Sequence, residues 1–279
     1  MKKRLTIPQL QTYKQEGKKI RVITAYDYPF AHLVNGSDIE IILVGDSLGM
    51  AVLGYTSTVP VTMEQMLHHC RPVVAGAPDT MVFADLPFGS YNVSIEQAIT
   101  NANRFMQEGA VDGVKLEGGV RMARTVAAIV EAGIPVMGHI GLTPQTATQL
   151  GGFKVQGKDE ATARQLIEDA LALEAAGVCS IVLECVPAPL AAEITGQLKV
   201  PTIGIGAGPD CDGQVLVIHD LIGMYDRFVP KFVKQYAQVG QTISQALAEY
   251  AQDVATGRFP DADHSFGLHR ERDESRRLY

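Results

Sequence analysis

The sequence has 279 residues, 46% of them hydrophobic, and a formal net charge of -7 at pH 7. That length holds one large domain or two ordinary ones with a sizeable core. An acidic balance with no basic patch excludes nucleic acid as the main partner, although one placed Lys or metal ion suffices to hold an anionic small molecule. The cysteines Cys70, Cys179, Cys185 and Cys211 form no C-x-x-C pair and no zinc-type spacing, so they read as buried thiols in a reducing compartment. Met1-Lys2-Lys3-Arg4 is basic, yet no long apolar run follows it and none elsewhere could span a bilayer. A soluble, cytoplasmic protein is expected.

In chain order, Pro8 to Gln15 predicts a short helix ahead of the fold. Lys19 to Thr24 alternates and predicts a first strand, and Pro29 to Val34 begins a helix. Ile41-Ile42-Leu43-Val44 reads as a strand buried on both faces, stopping on Gly45-Asp46-Ser47-Leu48-Gly49. Asp46-Ser47 alone would read as a turn or a helix cap. The stretch from Met50 to Thr62 is long for a loop in a compact domain, which marks it as a candidate lid. A capped helix start follows at Thr62. Met81 to Asp85 predicts a third strand ending in a carboxylate. Ser94 and Gln97 make a capping-box pattern for a helix to about Glu108. Gly113 to Glu117, Ile134 to Ile140, Cys179 to Glu184 and Val200 to Gly206 predict four further strands. Arg121 to Ala132, Lys158 to Ala176 and Pro187 to Leu198 predict the helices among them. Val215 to Ile218 is an eighth apolar segment, and Val229 to Ala255 reads helical. Past Gly257 the chain turns polar, and His269 to Arg277 is a charge run.

Strands alternating with helices mean βαβ units and parallel pairing. Eight units fit a (β/α)8 TIM-type barrel, for which ~250 residues is typical. The expected organisation is one barrel domain over residues 1–268, with a short N-terminal helix and extra C-terminal helices, then a polar tail over 269–279. A doubly wound open sheet would need a G-x-G-x-x-G fingerprint after an early strand, which is absent.

In a barrel the C-terminal strand ends converge on one mouth. Here they present Asp46 and Ser47, Asp85, Lys115 and Glu117, His139, and Glu184. Buried carboxylates in that number repel one another unless protonated or bound to a cation. Oxygen-only donors suit a hard ion such as Mg2+, with Asp46 and Asp85 as direct ligands and Glu117 binding directly or through water. Lys115 and Glu117 are two apart and share one face of their strand. Lys115 then either pairs with a substrate carboxylate or forms an internal salt bridge to Glu117 or Asp85. His139 reads either as a core histidine bonded to a backbone carbonyl or as a group facing the substrate. Glu184 closes an otherwise apolar strand, the setting of a general base. The glycines from Gly204 to Gly208 read as a tight connection in preference to a phosphate cradle.

Several contiguous stretches resemble the ketopantoate hydroxymethyltransferase family: Val44 to Ser47, Phe83 to Tyr91, Val114 to Gly119, Met137 to Gln145 and Gly204 to Val215. The resemblance runs from about Leu5 to about Leu268. It implies a Mg2+-dependent enzyme of pantothenate biosynthesis. Such an enzyme transfers a one-carbon unit from 5,10-methylenetetrahydrofolate to 3-methyl-2-oxobutanoate and yields 2-dehydropantoate. By matching motifs it implies Asp46, Asp85 and Glu117 at the metal, Ser47, Asp85 and Lys115 against the oxo acid, and Glu184 as proton acceptor. It also implies a cytoplasmic barrel assembled into homodecamers. The rival readings are another metal-dependent oxo-acid barrel, related to isocitrate lyase or phosphoenolpyruvate mutase, and a ligand-binding barrel without turnover.

Overall fold

The computed structural model describes residues 4–225 and 229–266. The expected tail and its boundary at residue 268 lie outside the described residues. The chain opens with helix α1 (Ile7–Gln15) and strand β1 (Ile20–Thr24), then α2 (Tyr28–Asn35) and β2 (Ile41–Val44). The short α3 (Leu48–Ala51) and the longer α4 (Met63–Gly76) lead to β3 (Met81–Asp85). After it come α5 (Ile95–Gln107), β4 (Gly113–Glu117), α6 (Ala123–Glu131) and β5 (Val136–Gly141). The last units are α7 (Glu160–Ala175), β6 (Ser180–Glu184), α8 (Ala188–Gln197), β7 (Thr202–Ile205), β8 (Gly213–Leu216), α9 (Ile218–Leu221) and α10 (Val239–Thr256). The strands close into a parallel barrel in chain order, with β8 paired back onto β1.

Side chains along a strand alternate between its two faces, and that period divides the core in two. One cluster fills the barrel interior: Ile20 and Val22 of β1, Ile41 and Leu43 of β2, Met81 and Phe83 of β3, Met137, Val182, Ile203 and Val215. Leu5 and Leu10 join this cluster, so α1 plugs the N-terminal end of the barrel. The other cluster holds the opposite strand faces against the surrounding helices, with Ile42, Val82, Val114 and Ile181 packed among Leu67, Phe105, Ile129 and Ile194. Interior bulk also explains Gly113. A Cβ there would lie 2.5 Å from Phe83 Cε1, so glycine on β4 leaves the space that Phe83 fills from β3. Phe83 is fully buried, and truncating it to Ala would cost about 3–5 kcal/mol.

The structure moves three expected boundaries. β8 begins at Gly213, two residues before the apolar run, and Ile218 opens α9. A Cβ at Gly213 would sit 2.3 Å from the Ile20 carbonyl oxygen, so only glycine allows β8 to start that close to β1. The expected helix from Val229 is confined to Val239–Thr256. Upstream, Tyr236 N and Val239 N donate to the carbonyls of Leu221 and Ile222, so this backbone pairs with the end of α9 instead of with itself. The capping box at α5 is half formed: Ser94 Oγ accepts from Gln97 N at 3.2 Å, but Gln97 Oε1 finds no partner. At α4 the box is complete, with Thr62 N donating to Gln65 Oε1 and Gln65 N to Thr62 Oγ1.

Candidate active site

The inward column of each strand carries apolar residues low in the barrel and ionisable ones at the mouth. On β3, Met81 and Phe83 are followed two residues on by Asp85; on β5, Met137 is followed by His139; on β6, Val182 is followed by Glu184. β4 places Lys115 and Glu117 in one column above Gly113. The strand period thus turns a filled interior into a polar floor at the C-terminal rim, where barrel ligands bind. Asp46, Asp85, Lys115, Glu117 and His139 are all buried, while the Glu184 side chain is 16% exposed.

Asp46 and Ser47 follow β2 after Gly45, where a Cβ would approach Ser47 Oγ to 2.7 Å. The Asp46 backbone N–H donates to Asp85 Oδ2 at 3.0 Å, and Ser47 Oγ lies 2.9 Å from the Tyr26 hydroxyl. Lys115 Nζ is 2.8 Å from Asp85 Oδ1, an ion pair not aligned as a hydrogen bond, and 3.4 Å from His139 Nδ1. Of the two roles open to Lys115, the internal pair to Asp85 is therefore present in this structure. His139 is not bonded to a backbone carbonyl. Its Nδ1 lies 3.5 Å from Glu117 Oε1 and its Nε2 lies 3.1 Å from Glu184 Oε2, close in distance but off the line of the ring N–H.

Burial and mutual repulsion shape the electrostatics. Burial raises the Asp46 carboxyl well above its usual range; Asp85 and Glu117 add to the rise, and Lys115 and Gln145 oppose it. For Lys115 burial disfavours the cation, yet Asp85, Glu117 and Asp46 outweigh it and raise its pKa. Burial and Lys115 both work against protonation of His139, but Glu117 and Glu184 overcome them and hold the imidazole up to about 9. The cluster keeps its protons and cations because its carboxylates cannot all stand ionised and unpaired in a dry site.

Two further side chains, Gln145 and Tyr91, belong to the site although neither carries an ionisable group that strand period would flag. Gln145, buried in the turn after β5, donates through Nε2 to Asp46 Oδ2 at 2.8 Å and to the Leu86 carbonyl at 3.0 Å. Its backbone N–H donates to Glu117 Oε2 at 3.1 Å. The Tyr91 hydroxyl donates to Gln145 Oε1 at 2.6 Å and accepts from Glu117 N at 3.3 Å. Nothing in a single sequence pairs a loop glutamine with an aspartate 99 positions away.

Each carboxylate of the trio therefore has one oxygen held by a protein N–H: Asp46 Oδ2, Asp85 Oδ2 and Glu117 Oε2. Among the described residues no three His, Cys, Asp or Glu side chains form a ready-made metal cage. The oxygen-only donors of Asp46, Asp85 and Glu117 are of the chemistry that suits a hard ion such as Mg2+, which takes one or two protein carboxylates and fills its remaining positions with water and substrate oxygens.

The candidate lid lies against the barrel. Val61 and Thr58 are buried, and a Cβ on Gly49 would meet Val61 Cγ2 at 2.6 Å. Tyr55 Oη accepts from Gln65 Nε2 at 2.6 Å, and the Tyr225 hydroxyl bonds the Ala51 carbonyl. The four cysteines are free thiols, and no helix of the described residues is long and apolar enough to cross a membrane.

Among solved structures, phosphonopyruvate hydrolase in complex with oxalate and Mg++ has a TM-score of 0.60 with this chain, at 12% identity over 93% of each. The 2,3-dimethylmalate lyase of the PEP mutase/isocitrate lyase superfamily has a TM-score of 0.58, at 14% identity over 94% of this chain and 92% of its own. At such identities the likeness is one of barrel fold alone. Sequence similarity separates the rival readings. A 3-methyl-2-oxobutanoate hydroxymethyltransferase of Heliobacterium modesticaldum is 68% identical over 279 residues, the whole of both chains. One of Moorella thermoacetica is 59% identical over 94% of this chain and 98% of its own. With the profile described as ketopantoate hydroxymethyltransferase also matching residues 4–262, this chain belongs to the ketopantoate hydroxymethyltransferase family of enzymes.

Proposed function

We propose that this enzyme transfers a one-carbon unit from 5,10-methylenetetrahydrofolate to 3-methyl-2-oxobutanoate, giving 2-dehydropantoate for pantothenate synthesis. The observation that carries the reading is the buried trio of carboxylates, each with one oxygen held by an N–H, beside Lys115 and within one rim of Glu184. Asp46 and Asp85 would hold Mg2+, with Glu117 completing its shell. When bound, that ion supplies a Lewis acid that stabilises negative charge on the keto oxygen of the oxo acid. Lys115 pairs with the substrate carboxylate, exchanging part of its contact with Asp85 for it. Ser47, oriented by Tyr26, bonds the bound acid. Glu184 accepts the C3 proton, and His139 beside it fixes the carboxylate and balances its charge. Across the whole reaction, a bond forms between C3 and the methylene carbon of the folate, both C–N bonds of that carbon break, water supplies the hydroxyl oxygen, and tetrahydrofolate leaves with its nitrogens reprotonated.

The same reading makes the protein cytoplasmic and a homodecamer. Self-association is supported by α10, which buries none of its residues in one copy and exposes Ile243, Leu247, Tyr250 and Val254 at helical spacing.

Turnover of the oxo acid by purified protein, followed by mass spectrometry, tests the reading. Product should form with Mg2+ and the folate together, stop after exhaustive chelation, return on adding Mg2+, and require the folate. Full activity after chelation would remove the metal from the reaction. Activity without any one-carbon donor would remove the folate.

A further inference from the structure

Gln145 touches two members of the carboxylate trio at once, one through its side chain and one through its backbone. It reaches Asp46 on the β2 turn with its amide and Glu117 on β4 with its backbone N–H. Its amide cannot be reversed. With Oε1 turned toward Asp46 it would face the Leu86 carbonyl, which can only accept, and, once Asp46 is ionised to bind a cation, a carboxylate oxygen as well. Tyr91 enforces the same choice from the other side. Its hydroxyl accepts from Glu117 N, and its one proton has two acceptors in reach, Gln145 Oε1 at 2.6 Å and the Glu117 carbonyl at 3.4 Å, of which the nearer is Gln145. Gln145 and Tyr91 are both buried, where such a network is strong when complete and costly when broken.

Resting on the Mg2+ reading above, we propose that Gln145, locked by Tyr91, is the positioning residue that makes Asp46 and Glu117 single-oxygen donors to the metal. By occupying Asp46 Oδ2 and Glu117 Oε2, it leaves each carboxylate one oxygen to offer. Bidentate carboxylates would crowd out the oxo acid, which needs coordination positions of its own. Partners that orient metal ligands in this way typically govern affinity by 10–100-fold.

The test counts Mn2+ bound to the full-length, metal-free protein by EPR, with Mg2+ as competitor, and needs no turnover. Gln145→Met keeps the length of the side chain but removes its donor and its acceptor. Tyr91→Phe keeps the ring and removes only the hydroxyl that locks the amide. The Mg2+ dissociation constant should rise about 10–100-fold in Gln145→Met and by a smaller factor in Tyr91→Phe. In kinetics the KM for the oxo acid should rise, kcat should recover at saturating Mg2+, and the KM for the folate should stay unchanged. A merely structural role would lower the melting temperature of both variants and leave Mg2+ affinity intact, and that result overturns the proposal. Should Gln145→Met fail to fold, Tyr91→Phe decides alone. Wild-type protein that binds neither ion would overturn the metal reading and this proposal together. Tight binding by the wild type with unchanged affinity in the variants would overturn this proposal only.

Discussion

His139 Nε2 stands 3.1 Å from Glu184 Oε2, across the register that pairs His139 with Val182 and Gly141 with Glu184 on neighbouring strands. The offset between β5 and β6 puts an imidazole whose pKa Glu117 and Glu184 raise against the carboxylate proposed as base. Glu184 reaches the rim from β6, and its neighbour Cys185 adopts a left-handed φ of 49°, turning the backbone sharply away behind it. The carboxylate is thus left at the end of the inward column, partly open to the mouth.

If Glu184 takes the C3 proton, the protein should exchange that hydrogen of 3-methyl-2-oxobutanoate with D2O when the folate is absent, as read by proton NMR. Glu184→Gln preserves shape but cannot accept a proton. Exchange and turnover should both fall by at least about 10²-fold, with Mg2+ and oxo-acid binding retained. Exchange persisting at the wild-type rate in Glu184→Gln would transfer the role to another group, with His139 next in line.

Lys115 has two parts to play, and one variant reads both. Lys115→Met removes the cation and keeps the volume. Breaking a buried pair leaves Asp85 uncompensated, so the metal-free variant should lose about 3–5 kcal/mol of stability in denaturant titrations. Mg2+ should restore part of that loss by supplying positive charge. The KM for the oxo acid should rise more than tenfold, about 1.4 kcal/mol of lost binding. A normal KM with only the stability loss would leave Lys115 as a structural partner of Asp85.

The segment from Met50 to Pro60 packs down through Thr58 and Tyr55, with Val61 just beyond it, next to the turn that carries Asp46 and Ser47. A lid closing over substrate would exchange its amide hydrogens more slowly when Mg2+ and the oxo acid are both present than with either alone. Deuterium uptake measured by mass spectrometry over this segment checks the expectation. Equal uptake in all conditions would make the segment a fixed wall of the mouth.

His219 gives a pH dependence away from the carboxylates. It is buried against Tyr26, Phe30 and Tyr225, and its Nδ1 has no partner. Burial lowers its pKa below the ordinary 6.5, with Asp27 opposing weakly. The unfolded chain then binds the proton more readily than the folded one, so stability rises with pH in this window. The contribution is complete above 6.5 and lost as pH falls through the folded value. His219→Phe should keep the ring stack and flatten this part of the profile, measured as denaturant midpoints from about pH 5 to 8. An unchanged slope would assign the acid sensitivity to other groups.

The barrel is legible in the sequence because its determinants are local and periodic. β2, β3 and β6 are built around runs of apolar residues that a two-sided parallel strand requires, β4 interrupts its own with Lys115, and each of the four ends in a carboxylate at or just past its last position. Strand period alone places Asp85, Lys115, Glu117, His139 and Glu184 on inward columns, so the candidate ionisable set follows from residue spacing. Where glycine replaces an apolar residue for reasons of close approach, as at Gly213, hydropathy misplaces the strand start, because the atom that demands glycine belongs to β1. The region ahead of α10 departs from its helical pattern for a like reason: its backbone partners are residues 221 and 222, and helical periodicity says nothing of a competing partner. Pairings within the site need the closed barrel. The Lys115 ion pair with Asp85, the His139 contact with Glu184 and the reach of Gln145 to Asp46 join strands and turns by register and curvature. A sequence says which groups arrive at the rim; which hydrogen bond each of their oxygens accepts is decided only when the eight strands close and set those groups within about 3 Å of one another.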